Sequence, residues 1–353
     1  MAVKWSWPFG PETAEELETI GWDAQYVSPV YTTSSTSPVY TYPGSPERYS
    51  LNLYRDNIVK APPSVVGASG WVAVAFYCSD TFDSWYRDRH IISIKDENNK
   101  AIAIYCSVDD TQNVGLRVGD TDDPSGSFTV SQNDWHYVAL QYDMTSSVWS
   151  ARWYLDGAPM GSLTSDASED PATEDQLTLS IAGMSNLNGL KTWYGQIVTW
   201  DDKLGDSGAV SRYATRVQLG KDTATAGSWS PSVGTDNFAV LSGTMVTGTY
   251  VQNTAATIGN FLTCQISASA GLSLANQLGT TPASINGVTA HGLVSGSGPY
   301  GLFALGDNNI DWSRGSTVLP TIADPKYGYA TAVTGGSGVW SGTSTVYLKY
   351  EVS

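Results

Sequence analysis

The sequence specifies an all-β protein: antiparallel sheets packed as a sandwich, followed by a smaller β-rich domain. Three observations carry that expectation. Runs of five to nine residues rich in Val, Ile, Thr, Tyr and Trp recur along the chain, each bounded by Gly, Pro, Asp, Asn or Ser. No helical period of any length separates them, so successive strands are joined by turns and pair antiparallel. The composition agrees. It combines 35 Gly, 20 Tyr and 13 Trp with a charged fraction of only 15%, whereas long surface helices need the straight-chain residues that are scarce here.

Taken in order, the chain opens on Trp5, Trp7 and Phe9, followed by residues 12–20 (ETAEELETI), which read as one short helical turn or a strand-edge loop. Residues 26–42 alternate aromatics with small polar residues and Pro, the pattern of irregular edge strands. Residues 50–54 read as a strand, and 70–78 (GWVAVAFYC) as a central one. Comparable units follow at 90–95, 101–108, 114–118, 135–142, 148–155, 176–182 and 193–200. Turn material separates them, including residues 96–99, 120–126 and 156–159. In the last of these, Asp156 and Gly157 sit between two runs as a tight hairpin would place them. Core signals fade over 202–232, where residues 209–219 could form a short helix, and strand-like pieces return at 236–252, 257–268 and 344–352.

A chain of 353 residues exceeds what one ordinary core uses, so two domains are expected, 1–215 and 216–353. Charge separates the same halves. Residues 1–215 hold 28 acids and 13 bases, net −15, and residues 216–353 hold 6 acids and 5 bases, net −1. A total of −16 weighs against nucleic acid, whose binding rests on Lys and Arg neutralising phosphates. Without an apolar run of 18 residues, no membrane insertion is expected. The N-terminus lacks the basic-then-apolar order of a secretory signal, so an extracellular location is expected only by export as a passenger or by cell lysis. Cys78, Cys106 and Cys264 have no metal-binding spacing and read as buried small hydrophobes, with a Cys78–Cys106 bridge as the alternative.

Two of these runs, 70–78 and 135–157, resemble the concanavalin A-like, laminin-G-like jelly-roll group. There, a strand carrying Trp-x-x-Val is followed by one ending in an Asp-Gly hairpin, positions held here by Trp135, Val138, Leu155, Asp156 and Gly157. The resemblance covers about residues 1–205 and implies a jelly-roll sandwich. Joined to a second module running from residues 228–238 (SWSPSVGTDNF) to 324–333 (DPKYGYATAV), the whole resembles bacteriophage virion proteins of the head-decoration, fibre or tail-accessory type. That implies a protein located in the virion. Its partners would be further copies of itself in a homo-oligomer such as a trimer, other virion proteins and host-surface polysaccharide.

Hydrolases of the jelly-roll group carry two or three carboxylates at alternating positions of one strand, where they share a face. No run here does. Glu169, Asp170, Glu174 and Asp175 fall in a polar stretch and read as solvated surface. The histidines, His90, His136 and His291, have no metal spacing, and no Ser occupies a Gly-x-Ser-x-Gly elbow. His136 reads as a structural or edge residue. A non-enzyme is therefore expected. The cofactor to consider is calcium, a hard cation that Asp120, Asp122 and Asp123 could ligate, as could Asp201, Asp202 and Asp206; the alternative is plain acidic loops.

Among the aromatics, Trp71, Trp149, Trp153 and Tyr137 read as packed. Trp85, Tyr86, Arg87 and Arg89 gather in one loop and are of the residue types that dominate interfaces, which makes them the candidate ligand or partner contacts. Trp193 and Trp200 join them if they face outward. The Trp5–Phe9 strand either docks on a neighbouring subunit or closes its own sandwich. The functional expectation is a non-catalytic virion structural protein, with the near-neutral domain as anchor and host glycans as a contact. The alternatives are a carbohydrate-binding adhesin module and a jelly-roll glycosidase.

Overall fold

The structure is a computed structural model. It describes residues 3–9, 17–18, 21–25, 30–32, 50–53, 58–78, 90–106, 113–122, 128–131, 133–183 and 192–200 of the first part of the chain. In the second part it describes 222–226, 229–237, 240, 250–253, 261–266, 288–294, 301–306, 313–318, 326–332 and 346–352. Two compact units divide the chain. One comprises Val3–Tyr40 and Arg48–Ala214, the other Thr41–Glu47 and Thr215–Ser353, with Met1 grouped with the first and Ala2 with the second.

Sixteen strands are described in the first unit. They are β1 (Val3–Pro8), β2 (Asp23–Gln25), β3 (Val30–Thr32), β4 (Ser50–Leu53), β5 (Ile58–Lys60), β6 (Ser69–Cys78), β7 (His90–Lys95) and β8 (Ala101–Cys106). After these come β9 (Asn113–Val118), β10 (Thr121–Asp122), β11 (Phe128–Thr129), β12 (Trp135–Asp143), β13 (Ser150–Leu155), β14 (Ala158–Thr164), β15 (Thr178–Ala182) and β16 (Thr192–Trp200). They form two antiparallel eight-stranded sheets, a jelly-roll-like sandwich. The front sheet runs β14-β13-β12-β6-β16-β4-β3, with β1 also paired to β16. The back sheet runs β10-β9-β8-β7-β15-β5-β2, with β11 also paired to β9. Of residues 12–20, Leu17 and Glu18 have helical backbone, and β3 lies at a sheet edge as its Pro- and Ser-rich surroundings predict.

The second unit is also β-built. Its strands are β17 (Asp222–Ala226), β18 (Trp229–Pro231), β19 (Val251–Asn253), β20 (Phe261–Ile266), β21 (Val288–Val294), β22 (Gly301–Gly306), β23 (Ser313–Val318), β24 (Lys326–Ala332) and β25 (Val346–Val352). A five-stranded sheet β17-β20-β25-β22-β23 stands beside the pairs β18-β19 and β21-β24. The 209–219 segment and the cysteine side chains lie outside the described residues. Among the described residues no helix is long and apolar enough to cross a membrane.

Alternation along β6 explains the main core. Val72, Val74 and Phe76 share a face with Val138 and Leu140 of β12, Trp153 of β13, and Ile197 of β16. All are essentially without solvent exposure. Ile92, Ile94, Ile102, Ile104, Leu116 and Leu179 are equally buried on the back sheet. Each such side chain contributes on the order of 1.5–3 kcal/mol relative to exposure. Tyr194 crosses between the sheets, its hydroxyl donating to the Ala182 carbonyl at 2.8 Å. Trp5 and Trp7 stack at 6.1 Å and meet Trp22, so β1 closes its own sandwich instead of leaving it.

The opposite face of β6 is buried as well. Trp71, Ala73 and Ala75 pack with Tyr137, Ala139, Tyr154, Val198 and Trp200, and Trp71 stacks on Trp200 with ring centroids 5.5 Å apart. The packing expected for Trp71, Trp149, Trp153 and Tyr137 is therefore present, although Trp71 and Tyr137 pack on the outer face of the front sheet.

Two glycines hold the turns. Asp156 and Gly157 have φ of 49° and 88°, and Leu155 pairs with Ala158, which is the two-residue hairpin that Asp-Gly predicts. Gly119 has φ of 61°, and a Cβ there would collide with the buried carboxylate of Glu169. Gly119→Ala is thus expected to cost on the order of 2 kcal/mol or more, from strain and collision together. Gly157→Ala, with open space around it, should cost only the backbone part, about 1 kcal/mol. Denaturant titration of both variants checks this, and equal losses would refute the Glu169 collision.

Candidate functional site

One row of the front sheet's outer face gathers side chains suited to a ligand. In register across four strands lie Trp135 of β12, Tyr77 of β6, Trp193 of β16 and Asn52 of β4. Tyr77 meets Trp135 at 5.6 Å and Trp193 edge-on at 5.4 Å between ring centroids. Tyr77 and Trp135 are half-buried. Beyond them, the Tyr77 hydroxyl donates to Oδ1 of the exposed Asn133 at 3.4 Å.

This row carries polar atoms that the protein leaves unanswered. Asn52 is fully buried, yet neither its Oδ1 nor its Nδ2 has a hydrogen-bond partner. Ser50 Oγ and the Trp193 indole N–H are in the same position. A buried donor or acceptor without a partner costs about 1–3 kcal/mol; Asn52 and Ser50 have essentially no exposed surface, so the side chains of the row that open to solvent are Tyr77 and Trp135.

A bulge makes the row. Trp193 and Trp200 are seven residues apart, and strict alternation would put them on opposite faces. The register of β16 against β6 shifts between Tyr194 and Gln196, so both tryptophans face outward. Residues 79–89, with Trp85, Tyr86, Arg87 and Arg89, lie outside the described residues.

At the same end, His136 faces inward. Its Nδ1 donates to Asp156 Oδ2 at 2.8 Å, and Asp156 Oδ1 accepts the Tyr137 N–H at 2.8 Å. Its Nε2 lies 3.1 Å from the hydroxyl of the exposed Ser131 and 3.0 Å from the Ser131 carbonyl. Burial alone would lower the His136 pKa. The bonds to Asp156 and the Ser131 carbonyl, with the charges of Asp156 and Asp134, outweigh burial and raise it above the ordinary value. The sequence reading missed this trio because Ser131 and Asp156 sit on either side of His136 in the chain, in an irregular segment and a hairpin. The Trp-His start of β12 and the Asp-Gly turn were its visible signals.

The acidic candidates are engaged elsewhere. Asp122 accepts from Arg117 at 2.6 Å, and Asp120 lies 3.5 Å from Lys100. Asp123, Asp201, Asp202 and Asp206 lie outside the described residues. No group of three or more metal-ligating side chains occurs among the described residues. Glu169 departs from the solvated surface expected of it: its side chain is buried and paired with Lys100 at 2.6 Å. The Glu169 hydrogen bond, opposed by desolvation and aided by the Glu169 and Asp120 charges, raises the Lys100 pKa.

No protein-family model and no curated protein matches the chain. Solved structures do. Domain 4 of an extracellular GH43 arabinanase from Geobacillus stearothermophilus, in complex with arabinotriose, is 10% identical, covering 57% of this chain and 92% of its own, at a TM-score of 0.39. A carbohydrate esterase from the Shiga toxin-encoding bacteriophage phi24B is 13% identical, covering 57% and 99%, at 0.36. An endo-1,3-β-glucanase from Streptomyces sioyaensis is 11% identical, covering 56% and 96%, at 0.36. The likeness lies in the sandwich, and neither substrate nor mechanism is carried across it. It does correct one expectation. Similar structures are mostly those of carbohydrate-active enzymes, lyases among them, so the sandwich is no mark of a non-enzyme. The non-enzymatic reading drawn from missing strand carboxylates is withdrawn, because the fold supports chemistry by more than that one arrangement.

His136 also sets a pH dependence. A histidine whose pKa is raised on folding stabilises fully below its unfolded value, near 6.5, and that contribution disappears as pH climbs through the folded value. Unfolding free energy should therefore fall as pH rises from about 6, and the fall should flatten in His136→Gln. Denaturation at a series of pH values measures it; an identical slope in the variant would count against the assignment.

Proposed function

We propose that the first unit binds carbohydrate on the outer face of the front sheet, as part of a phage virion protein. The observation that supports this is the row of Trp135, Tyr77 and Trp193, in which Trp135 and Tyr77 are only half-buried. Aromatic rings offer flat apolar surface to the faces of sugar rings, and an amide both donates to and accepts from hydroxyls. The exposed Asn133, which accepts from the Tyr77 hydroxyl, supplies such an amide at the edge of the row. Trp85, Tyr86, Arg87 and Arg89, the contacts expected from the sequence, follow β6 in the chain.

The virion setting draws on the resemblance carried by 70–78 and 135–157 together with the second, nearly neutral module. Large interfaces tolerate few unpaired charges, which suits residues 216–353 to assembly with further copies of the chain or other virion proteins. The acidic first unit is then the projecting, glycan-facing part. Calcium in the Asp120–Asp123 loop is not needed for this reading.

Titration calorimetry with glycans selected on an array tests the binding. Trp193→Ala and Trp135→Ala should each weaken it about tenfold or more, equivalent to about 1.4 kcal/mol. Unchanged affinity in both variants, or no glycan bound by the intact chain, would overturn the reading. Detection of the chain in purified particles tests the virion setting, and its absence from them would reject it.

A further inference from the structure

Sugar binding leaves Ser131, His136 and Asp156 without a role. We propose that this trio is a nucleophilic centre that hydrolyses acyl esters, and that its substrate is an O-acylated glycan held by the neighbouring aromatic row. The choice of substrate rests on the binding reading; the ester chemistry does not.

The geometry has the parts in working order. Asp156 accepts the Nδ1 proton at 2.8 Å, and Nε2 lies 3.1 Å from the Ser131 hydroxyl and 3.0 Å from the Ser131 carbonyl; the imidazolium donates Nε2–H to that carbonyl, and loss of this proton frees the lone pair for the hydroxyl. These separations are those of a nucleophile, its base and the group that orients the base. The orienting carboxylate is itself fixed, since its other oxygen accepts the Tyr137 N–H. The imidazolium formed during reaction has an acceptor ready, because the Ser131 carbonyl lies 3.0 Å from Nε2. Exposure follows the roles as well: His136 is 7% exposed, while Ser131 opens to solvent where a substrate can reach it. Asp156 is the weaker part. Its side chain is 49% exposed, so water screens its charge, and slow turnover is expected.

Position links the centre to the row. Asn133, the acceptor for the Tyr77 hydroxyl, is two residues from Ser131, and Trp135 immediately precedes His136. Trp135 and His136 face opposite sides of β12, so a glycan on the row would have to reach round the end of that strand, where Asn133 and Ser131 are exposed, to present an acyl group to Ser131.

The chemistry balances with water as co-reactant. Ser131 Oγ bonds to the acyl carbon and its proton passes to Nε2. The bond from that carbon to the sugar oxygen then breaks, and Nε2 protonates the departing oxygen. Water attacks the acyl-Ser131 ester while Nε2 takes its proton. The carbon–Oγ bond breaks, Oγ regains that proton, and the carboxylic acid leaves.

Fluorophosphonate labelling of the intact chain, located by mass spectrometry, and turnover of 4-nitrophenyl acetate test the centre directly. Label on Ser131 is expected, with Ser131→Ala abolishing it and reducing ester turnover at least tenfold; Ser131 is exposed, so this variant should fold. Asp156→Asn should slow labelling about tenfold or more and move the pH of half-maximal labelling downward, a shift that a merely structural role would not produce. An unlabelled Ser131, with ester turnover no faster than in Ser131→Ala, would overturn the proposal. Acetate release from O-acetylated xylan and binding of the same polymer separate the two readings. Turnover of 4-nitrophenyl acetate without glycan binding would leave the centre standing and remove the glycan; glycan binding with an unreactive Ser131 would do the opposite.

Discussion

Strand β6 is the constraint on which the first unit depends. It pairs along its length with β12 on one side and β16 on the other, and both of its faces are buried. Val72, Val74 and Phe76 form part of the floor of the sandwich, and Trp71, Ala73 and Ala75 belong to a second apolar layer on the far side. A strand buried on both faces over residues 71–76 reads as a continuous apolar run, with the half-buried Tyr77 at its end. The alanines are part of the same logic: small side chains between Trp71 and Tyr77 leave room for the rings of Tyr137, Tyr154 and Trp200.

From that frame the candidate binding row follows by register. Tyr77 is the last outward position of β6 before Cys78, so its neighbours on adjacent strands are set by pairing alone: Trp135 on β12 and Trp193 on β16. Asn52 is brought in one strand further out, opposite Trp193. The shift at Gly195 places Trp193 and Trp200 on one face, and so extends the aromatic character of that face from one end of β6 to the other.

The β12 start and the β13–β14 hairpin are coupled by side chains as well as by the β12–β13 ladder. Asp156 accepts from both the Tyr137 backbone and His136, so the hairpin tip is tied to the strand that carries the imidazole. An Asp at that turn satisfies two demands at once, a positive φ that Asp tolerates better than most residues and a carboxylate facing the strand. The same economy appears at Gly119, whose missing Cβ makes room for the buried Glu169 carboxylate and thereby for its ion pair with Lys100.

Local chemistry in the sequence determined the β class, the strand runs, the Asp156–Gly157 hairpin and the burial of Trp71, Trp149, Trp153 and Tyr137. Alternation, turn residues and side-chain size act within a few residues, so they are legible in a linear string. It did not reveal the outward pairing of Trp193 with Tyr77 and Asn52, because a bulge resets the period-two count and strand order joins residues 52, 77, 135 and 193 only on folding. Nor did it reveal the buried Glu169 or the Ser131–His136–Asp156 trio. Carboxylates at alternating positions of one strand are a local pattern, whereas this trio is assembled from an irregular segment, a strand and a hairpin tip. Whether a loop acid is solvated surface or a buried partner depends on which glycine or lysine the sheet brings against it, and only the tertiary structure decided that.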